Sequence, residues 1–241
     1  MNSDQSSWTI RQEGDSGIVV SFPEFIDPII NSRCVALACE IRSRQLPWVR
    51  DVVEAYASVT VYFDLLAIDN EIAVGVIRDL ANKTVAAPEN HKELEPIRLP
   101  VCYGGRYGPD LPVVSAYAQC SEQDVVRRHA SVTYRVYMLG FLPGFAYLGK
   151  VDQRIAAPRR KSPRLVVHAG SVGIAGKQTG IYPSQSPGGW QIIGRCPVKL
   201  LNWSIERPFL LESGKRVCFE PIGEQDYERI QERTLWQSRS R

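Results

Sequence analysis

The chain has 241 residues, of which 44% are hydrophobic and 23% charged, and its formal net charge is +3. This composition is typical of a globular protein with one large domain or two of ordinary size. The small net charge argues against a nucleic-acid-binding role, which needs a clustered basic face. The sequence shows no signal-peptide pattern and no apolar run long enough for a membrane span, so we expect a cytoplasmic protein.

The N-terminal part of the chain predicts strands that alternate with two amphipathic helices. Asp27 and Pro28 are typical of a helix start, as N-cap and first helical residue. Apolar residues recur at helical spacing from there to Ile41, and again over residues 71–83. Strands are predicted at residues 8–13, 17–22, 49–55 and 58–64. We therefore expect a small α+β domain of split βαβ, ferredoxin-like type over residues 1–96.

From residue 97 onward the sequence predicts a mostly-β domain. Ser121 and Asp124 form a capping box that opens a helix. Ten of the chain's 18 glycines then lie between Gly140 and Gly194, interleaved with short apolar runs. Many short strands joined by Gly/Pro turns indicate a barrel over residues 97–241. Its predicted strands are 97–103, 132–139, 165–167, 172–175, 180–182, 191–194, 208–211 and 216–221, with helices at 111–118 and 226–236.

Two segments are predicted to be open to proteases. Residues 86–96 are polar and contain two prolines, the composition of a linker, so we expect the two domains to meet near residues 90–105. Residues 104–110 form a second predicted loop, rich in glycine.

Residues 171–178 nearly match a phosphate-binding loop. Ser171 stands in place of the first glycine, and Gln178 in place of the serine or threonine that reaches magnesium. Residues 169–173 similarly resemble a broken nucleophile elbow, but neither a paired histidine nor a positioned aspartate can be assigned. We therefore interpret Ser171 as a turn hydroxyl rather than as a nucleophile.

A group of basic residues falls in the loops of the predicted barrel: Arg159, Arg160, Lys161, Arg164, Lys177 and Arg195. Arginine binds carboxylate and phosphate groups through two parallel hydrogen bonds, so several arginines at one rim can form an anion site. The alternative is a set of unrelated surface charges. Gln178, Thr179 and Tyr182 add amide and hydroxyl groups that suit a small polar ligand.

The other reactive residue types predict no metal site in this chain. The three histidines lack ligand spacing, and the six cysteines contain no CxxC pair, so we expect free thiols in a reducing compartment. His129 shares a helix face with Val125 and Val126 and is interpreted as structural. Trp190 is interpreted as a core residue rather than a binding platform.

Several motifs in fixed order resemble those of a known family. The run YMLGFLPGFAYLG is followed by Pro-Arg pairs at residues 158–159 and 163–164, then by AGSVGIAGKQTGIYP, SPGGW and IGR. This series resembles the family of the 5-oxoprolinase B subunit, which includes KipI-type kinase inhibitors, and one half of the carboxyltransferase domain of urea carboxylase. The sequence departs from the family pattern at His168, where proline is usual, and at Cys196, where threonine is usual.

The resemblance implies a cyclophilin-like barrel after the α+β domain, and a subunit that works with others. Together with the C and A subunits, the family opens 5-oxoproline to L-glutamate and hydrolyses ATP to ADP and phosphate. ATP is then a co-substrate, shared with a partner subunit. Phosphorylation of the lactam oxygen needs cations beside the phosphoryl group and donors on the amide oxygen.

We assign these roles to residues by their chemical type. The catalytic candidates are Arg195, Lys177 and Gln178. The candidates for substrate or nucleotide binding are Arg159, Arg164, Ser171, Thr179 and Tyr182. Backbone N–H groups of residues 170–173 are candidate donors to the amide oxygen.

The same fold is open to two other functions. A KipI-type inhibitor would use the barrel as a docking surface for a sensor histidine kinase. A carboxyltransferase or allophanate hydrolase-like component would need a biotinylated partner, since the sequence contains no biotin-acceptor segment.

Overall fold

The computed structural model describes residues 8–84 and 95–239, with side chains up to residue 232. The chain divides into two compact units, Met1–Glu93 and Leu94–Arg241. Each unit has its own cluster of buried apolar side chains. None of the helices in the described residues combines the length and the hydropathy that crossing a membrane requires.

The first unit is a four-stranded antiparallel sheet with two helices. Its elements in chain order are β1 (Thr9–Glu13), β2 (Gly17–Ser21), α1 (Pro28–Ser43), β3 (Val49–Glu54), β4 (Ser58–Phe63) and α2 (Asn70–Lys83). The predicted start of α1 is confirmed, because the Asp27 carboxylate accepts hydrogen bonds from the backbone N–H groups of Ile29 and Ile30. Cys34, Leu37 and Ile41 on α1 are buried in the core of this unit.

The strand order of this sheet is β1-β2-β4-β3. Helix α1 connects β2 to β3, and β4 lies between those two strands, which makes β2-α1-β3 a split βαβ unit. A ferredoxin-like order would place the remaining strand after α2. Here β1, from the start of the chain, occupies the edge beside β2. The unit therefore contains the predicted split βαβ element without the ferredoxin-like chain order.

The second unit contains most of the strands. Its elements are β5 (Ile97–Tyr103), α3 (Leu111–Ala118), α4 (Glu122–Ala130), β6 (Tyr134–Leu139), β7 (Ala146–Gly149), β8 (Arg164–Val167), β9 (Ser171–Ala175), β10 (Gln178–Ile181), β11 (Ser186–Gly188), β12 (Gln191–Arg195), β13 (Arg216–Ile222) and α5 (Glu224–Arg239), with a 3-10 turn at Gln153–Ile155. Seven strands close into a barrel in the order β10-β7-β6-β13-β5-β12-β9. The predicted barrel is confirmed.

The pairing within the barrel is antiparallel except between β5 and β13, which are parallel. Strands β8 and β11 form a separate two-stranded sheet. The sequence patterns predict neither β7 nor β11. The strand predicted at 208–211 is reduced to an isolated bridge between Leu201 and Phe209.

The segment that resembles a phosphate-binding loop is a β-hairpin. Strand β9 turns through Gly176, whose φ is 59°, and returns as β10. A phosphate-binding loop leads from a strand into a helix, whose N-terminus meets the phosphates. Since a strand follows here, this segment does not form that motif.

Candidate anion site at the barrel edge

A cavity of about 520 Å³ lies where β12 ends and β9 begins. Helix α5 and the segment before α3 contribute to its walls. The polar and aromatic side chains that line it include Arg106, Tyr107, Arg164, Ser171, Arg195 and Tyr227. Three arginines at one cavity make this the candidate anion site of the barrel unit.

A larger cavity, of about 720 Å³, lies beside α4. Leu111, Val126 and Pro221 contribute apolar groups to it. The one basic residue among its described lining, Arg127, forms an ion pair with Asp124. An apolar cavity whose cation is already neutralised does not suit anion chemistry, so we assign the functional site to the smaller cavity.

Arg195 is the last residue of β12. It is paired in register with Ser171 on β9, and its guanidinium carbon lies 5.9 Å from the centre of the Tyr107 ring, a cation–π contact. Its side chain also donates a hydrogen bond to the Tyr227 hydroxyl, a neutral acceptor. Among the described residues it has no carboxylate partner, and its Nε atom is buried without a hydrogen-bond partner. The positive charge of Arg195 is therefore free to act on a ligand in the cavity.

Arg164 also reaches this cavity, but its charge is already used. Its two Nη atoms donate to the two carboxylate oxygens of Asp110 over 2.7 and 2.6 Å. Arg160 donates to the same carboxylate over 3.0 Å, and so does the backbone N–H of Ile192 over 2.7 Å. Asp110 is only 1% exposed. Arg164 thus fastens β8 to β12 through Asp110, and its charge is matched within the fold.

Sequence patterns alone do not identify the clamp that Asp110 forms with Arg160, Arg164 and the backbone N–H of Ile192. They predict a loop at residues 104–110 that is open to proteases. The structure has this loop, with Gly105, Arg106 and Pro109 exposed, but both of its ends are held against β12. The backbone N–H groups of Gly104 and Asp110 donate to the carbonyl oxygens of Ile193 and Ile192, and Gly108 is buried. A protease cannot draw such a segment into its active site without breaking these contacts.

Arg106 joins the cavity to helix α5. Its guanidinium pairs with Glu224, and it donates to Glu228 over 2.7 Å and to the Tyr107 hydroxyl over 2.9 Å. Arg106 therefore forms ion pairs with two carboxylates, which neutralise its charge within the fold.

Two tyrosine rings form one wall of the cavity. The rings of Tyr107 and Tyr227 lie 4.4 Å apart, centre to centre, in a tilted arrangement. Burial raises the pKa of both phenols, although the charge of Arg195 opposes the increase at Tyr227. Both hydroxyls stay protonated near neutral pH and can donate hydrogen bonds.

Comparison with known proteins identifies the family. The family model described as carboxyltransferase domain, subdomain C and D, matches residues 8–211. The chain belongs to this family. It is 39% identical to the B subunit of 5-oxoprolinase from Bacillus subtilis, over 93% of this chain and 97% of that protein. It is 50% identical to the B subunit of 5-oxoprolinase from Escherichia coli, over 55% of this chain and 63% of that protein.

A solved structure of the same kind shares this fold. A conserved uncharacterized protein from Pyrococcus horikoshii is 43% identical, with a TM-score of 0.55, and the match covers 91% of this chain and 100% of that one. The membership that the motifs indicate, in the family of the 5-oxoprolinase B subunit, is confirmed by the relatives of that name.

In this carboxyltransferase-family fold, two of the predicted catalytic residues lie away from the cavity. Lys177 follows the turn after β9, and Gln178 begins β10, whereas Ser171 and Arg195 lie at the other end of β9. Five residues of strand separate the two ends by about 13 Å, at roughly 3.3 Å per residue. Lys177 and Gln178 therefore do not join Arg195 in one site.

Thr179 lies inside the barrel and takes part in a closed hydrogen-bond chain. Its hydroxyl donates to the carbonyl oxygen of Gly173 over 2.9 Å, so it must accept from His129 Nε2, also 2.9 Å away. His129 Nδ1 then accepts from the Tyr103 hydroxyl over 2.8 Å. Burial lowers the pKa of His129 to about 3. The expected structural role of His129 agrees with this geometry. The hydroxyl proton of Thr179 is already used, and its side chain is fully buried.

Tyr182 and Arg159 belong to an aromatic cluster that does not line the cavity. The Tyr182 ring lies 5.1 Å from that of Phe145, and its hydroxyl accepts from the backbone N–H of Trp190. Trp190 is 5% exposed, which fits the predicted core role, and the Arg159 guanidinium lies 5.9 Å from its ring. The structure thus brings together three of the eight predicted site residues: Arg164, Ser171 and Arg195.

The backbone donors predicted around Gly170 are also occupied. The backbone N–H of Gly170 donates to the carbonyl oxygen of Tyr182, and the backbone N–H of Ser171 donates to the carbonyl oxygen of His168. Of the two departures from the family pattern, His168 is exposed at the cavity. Cys196 is buried, which raises the pKa of its thiol to about 12 and makes it unreactive. Within the described residues, no group of three or more histidine, cysteine or acidic side chains is placed to hold a metal ion.

Proposed function

We propose that the chain is a subunit of an ATP-dependent 5-oxoprolinase complex. The complex opens 5-oxoproline to L-glutamate and hydrolyses ATP to ADP and phosphate. The similarity over nearly the whole chain to a 5-oxoprolinase B subunit supports this assignment. The structural observation that carries it is Arg195, a cation at a cavity with no carboxylate partner among the described residues.

The need for ATP follows from the chemistry of the substrate. Transfer of the γ-phosphoryl group to the lactam oxygen releases ADP and turns a poor electrophile into a reactive one. Water then adds to the carbonyl carbon, the ring C–N bond breaks, and an acyl phosphate forms. A second water releases phosphate and leaves L-glutamate. An anionic substrate of this kind needs a positive group to hold it, and Arg195 supplies one.

The described residues of this chain do not supply a full catalytic set. His129 is enclosed in the barrel, and the hairpin after Ser171 is not a nucleotide-binding loop. We therefore expect negligible activity from the chain alone, and we expect partners related to the A and C subunits of 5-oxoprolinase to bring the nucleotide. Exposed apolar side chains support such an assembly: Trp203 is 69% exposed and Ile205 is 43% exposed. Six free thiols support a reducing, cytoplasmic setting.

A carboxyltransferase component is the second candidate. The description of the matching family favours it, because that description names a carboxyltransferase domain. Such a protein would work beside a biotinylated partner, whereas a 5-oxoprolinase subunit would not.

Affinity purification of the tagged chain from its native host distinguishes the two candidates. Proteins related to the A and C subunits of 5-oxoprolinase should be recovered in near-equal amounts, and an avidin blot of the same fraction should stay blank. A biotinylated protein in that fraction would support the carboxyltransferase candidate. Recovery of a histidine kinase in place of the 5-oxoprolinase subunits would contradict both.

A further inference from the structure

The cavity is lined by two neighbouring side chains that can donate hydrogen bonds, Arg195 and Ser171. Ser171 and Arg195 are direct partners on adjacent antiparallel strands, so their side chains leave the sheet on the same face, with Cβ atoms about 5 Å apart. Ser171 is 2% exposed, and its hydroxyl is a potential donor at the cavity. The Nε of Arg195 is buried without a hydrogen-bond partner. A buried donor in a folded protein is normally paired, so this Nε beside the Ser171 hydroxyl indicates a ligand with acceptor oxygens.

The balance of charge around the cavity indicates a ligand with a single negative charge. Arg106 pairs with the two carboxylates of Glu224 and Glu228. Arg160 and Arg164 share the single carboxylate of Asp110. With Arg195, four arginines therefore face three carboxylates, which leaves one positive charge. One guanidinium beside a hydroxyl matches one carboxylate, which accepts two parallel hydrogen bonds from arginine. A nucleoside triphosphate carries about four negative charges, so its binding needs several cations or a metal ion.

The walls beside this pair are apolar. The tilted rings of Tyr107 and Tyr227 contribute one side, and Val166 and Ile192 also line the cavity. A small ring with methylene groups and a single carboxylate presents matching surfaces, since ligand sites combine apolar walls with a few polar anchors.

We propose that Arg195 and Ser171 bind the carboxylate of 5-oxoproline, which makes them the specificity-determining pair of this subunit. This inference rests on the proposed function. The ring nitrogen of 5-oxoproline is bonded to two carbons, the reacting carbonyl carbon and the carbon that bears the carboxylate. The charge of this carboxylate does not change during the reaction. Its contacts are therefore equally strong in the ground state and in the transition state, so they lower KM without raising kcat.

Steady-state kinetics of the reconstituted complex test this pair. Arg195→Met should raise the KM for 5-oxoproline at least about 10-fold, and Ser171→Ala should raise it about 3- to 10-fold. In both variants, kcat and the KM for ATP should stay within about 3-fold of the wild type. Arg98→Met is the matched control, because it removes an exposed positive charge of the barrel unit that pairs with Glu220 and does not line the cavity, and all constants should be unchanged.

A second measurement needs no variant. The lactam 2-pyrrolidinone has the ring of 5-oxoproline without the carboxylate. As a competitive inhibitor it should bind the wild-type complex at least about 100-fold more weakly than 5-oxoproline, because the charge and the buried Nε of Arg195 are then left without a partner. Equal binding of the two lactams would overturn the assignment. A fall in kcat at constant KM in Arg195→Met, or a raised KM for ATP, would overturn it too, because the arginine would then act on the phosphoryl group. A wild-type complex without 5-oxoproline-dependent ATP hydrolysis would instead remove the proposed function, and the assignment with it.

Discussion

Replacing Asp110 by asparagine tests whether the clamp beside the cavity is structural. In the wild type the carboxylate receives three hydrogen bonds from Arg160 and Arg164 and one from the backbone of Ile192. Asparagine has nearly the same shape but only one acceptor oxygen, and its NH₂ group faces the arginine donors. The substitution therefore leaves an arginine charge without its counter-ion and a buried donor without an acceptor.

The size of the effect follows from burial. Breaking a buried ion pair by removing one partner costs about 3–5 kcal/mol. The side chain of Asp110 is 2% exposed, but those of Arg164 and Arg160 are 24% and 34% exposed, so water takes up part of the loss. We expect the lower end, about 3 kcal/mol. For a unit of this size, that corresponds to a decrease of about 6–12 °C in Tm.

Thermal denaturation followed by circular dichroism measures this change. The matched control is Asp226→Asn on α5, whose ion pair with Arg229 is largely exposed. It should lose less than about 1 kcal/mol, or at most about 4 °C. If Asp110→Asn melted as late as Asp226→Asn, the clamp would not stabilise the fold, and Arg164 would again be a candidate for ligand binding.

Three further predictions follow from other parts of the fold. The pKa of His129 is near 6.5 in the unfolded chain and about 3 in the folded one, so on acidification the unfolded state takes up the proton first. The free energy of unfolding should therefore fall by about 2 kcal/mol between pH 7 and pH 5. Urea titrations at the two pH values measure this loss, and its absence would contradict the burial of His129. Gly170→Ala should lower the free energy of unfolding by more than about 3 kcal/mol, since φ is 80° and the new Cβ would lie 2.3 Å from the Cys196 carbonyl oxygen. Gly176→Ala, whose Cβ would meet open space, should lower it by about 1 kcal/mol. Equal losses of stability for the two variants in urea titrations would show that the close contact is not the cause. Limited proteolysis should cut first within the predicted linker, residues 86–96. A first cut within residues 104–110 would contradict the hydrogen bonds that hold the two ends of that segment.

The sequence was sufficient wherever the signal is local. The Asp27-Pro28 start of α1 and the Ser121 capping box each depend on residues within one helical turn, and both are present in the structure. The barrel was predictable because many glycines between short apolar runs require strands and turns rather than helices. Strand β7 was missed because its four residues follow a turn at Gly144 and resemble more of the same loop.

The site was only partly predictable because its contacts join distant parts of the chain. Asp110 meets its partners 50, 54 and 82 positions further along the sequence, and no pattern of neighbouring residues announces such an encounter. Lys177 and Ser171 are close in sequence, but the strand between them holds them at opposite ends of a hairpin. Arg195 was predictable because a charge after an apolar strand is placed at a barrel edge.

An omission assay tests whether this chain is a necessary subunit of a 5-oxoprolinase complex. The chain is mixed with its purified partner subunits, and ADP formation is followed with and without 5-oxoproline, in the full mixture, in the mixture lacking this chain, and with this chain alone. We expect 5-oxoproline-dependent ADP formation, with an equal amount of L-glutamate, in the full mixture only. The same rate in the mixture that lacks this chain, or full turnover by this chain alone, would contradict this expectation.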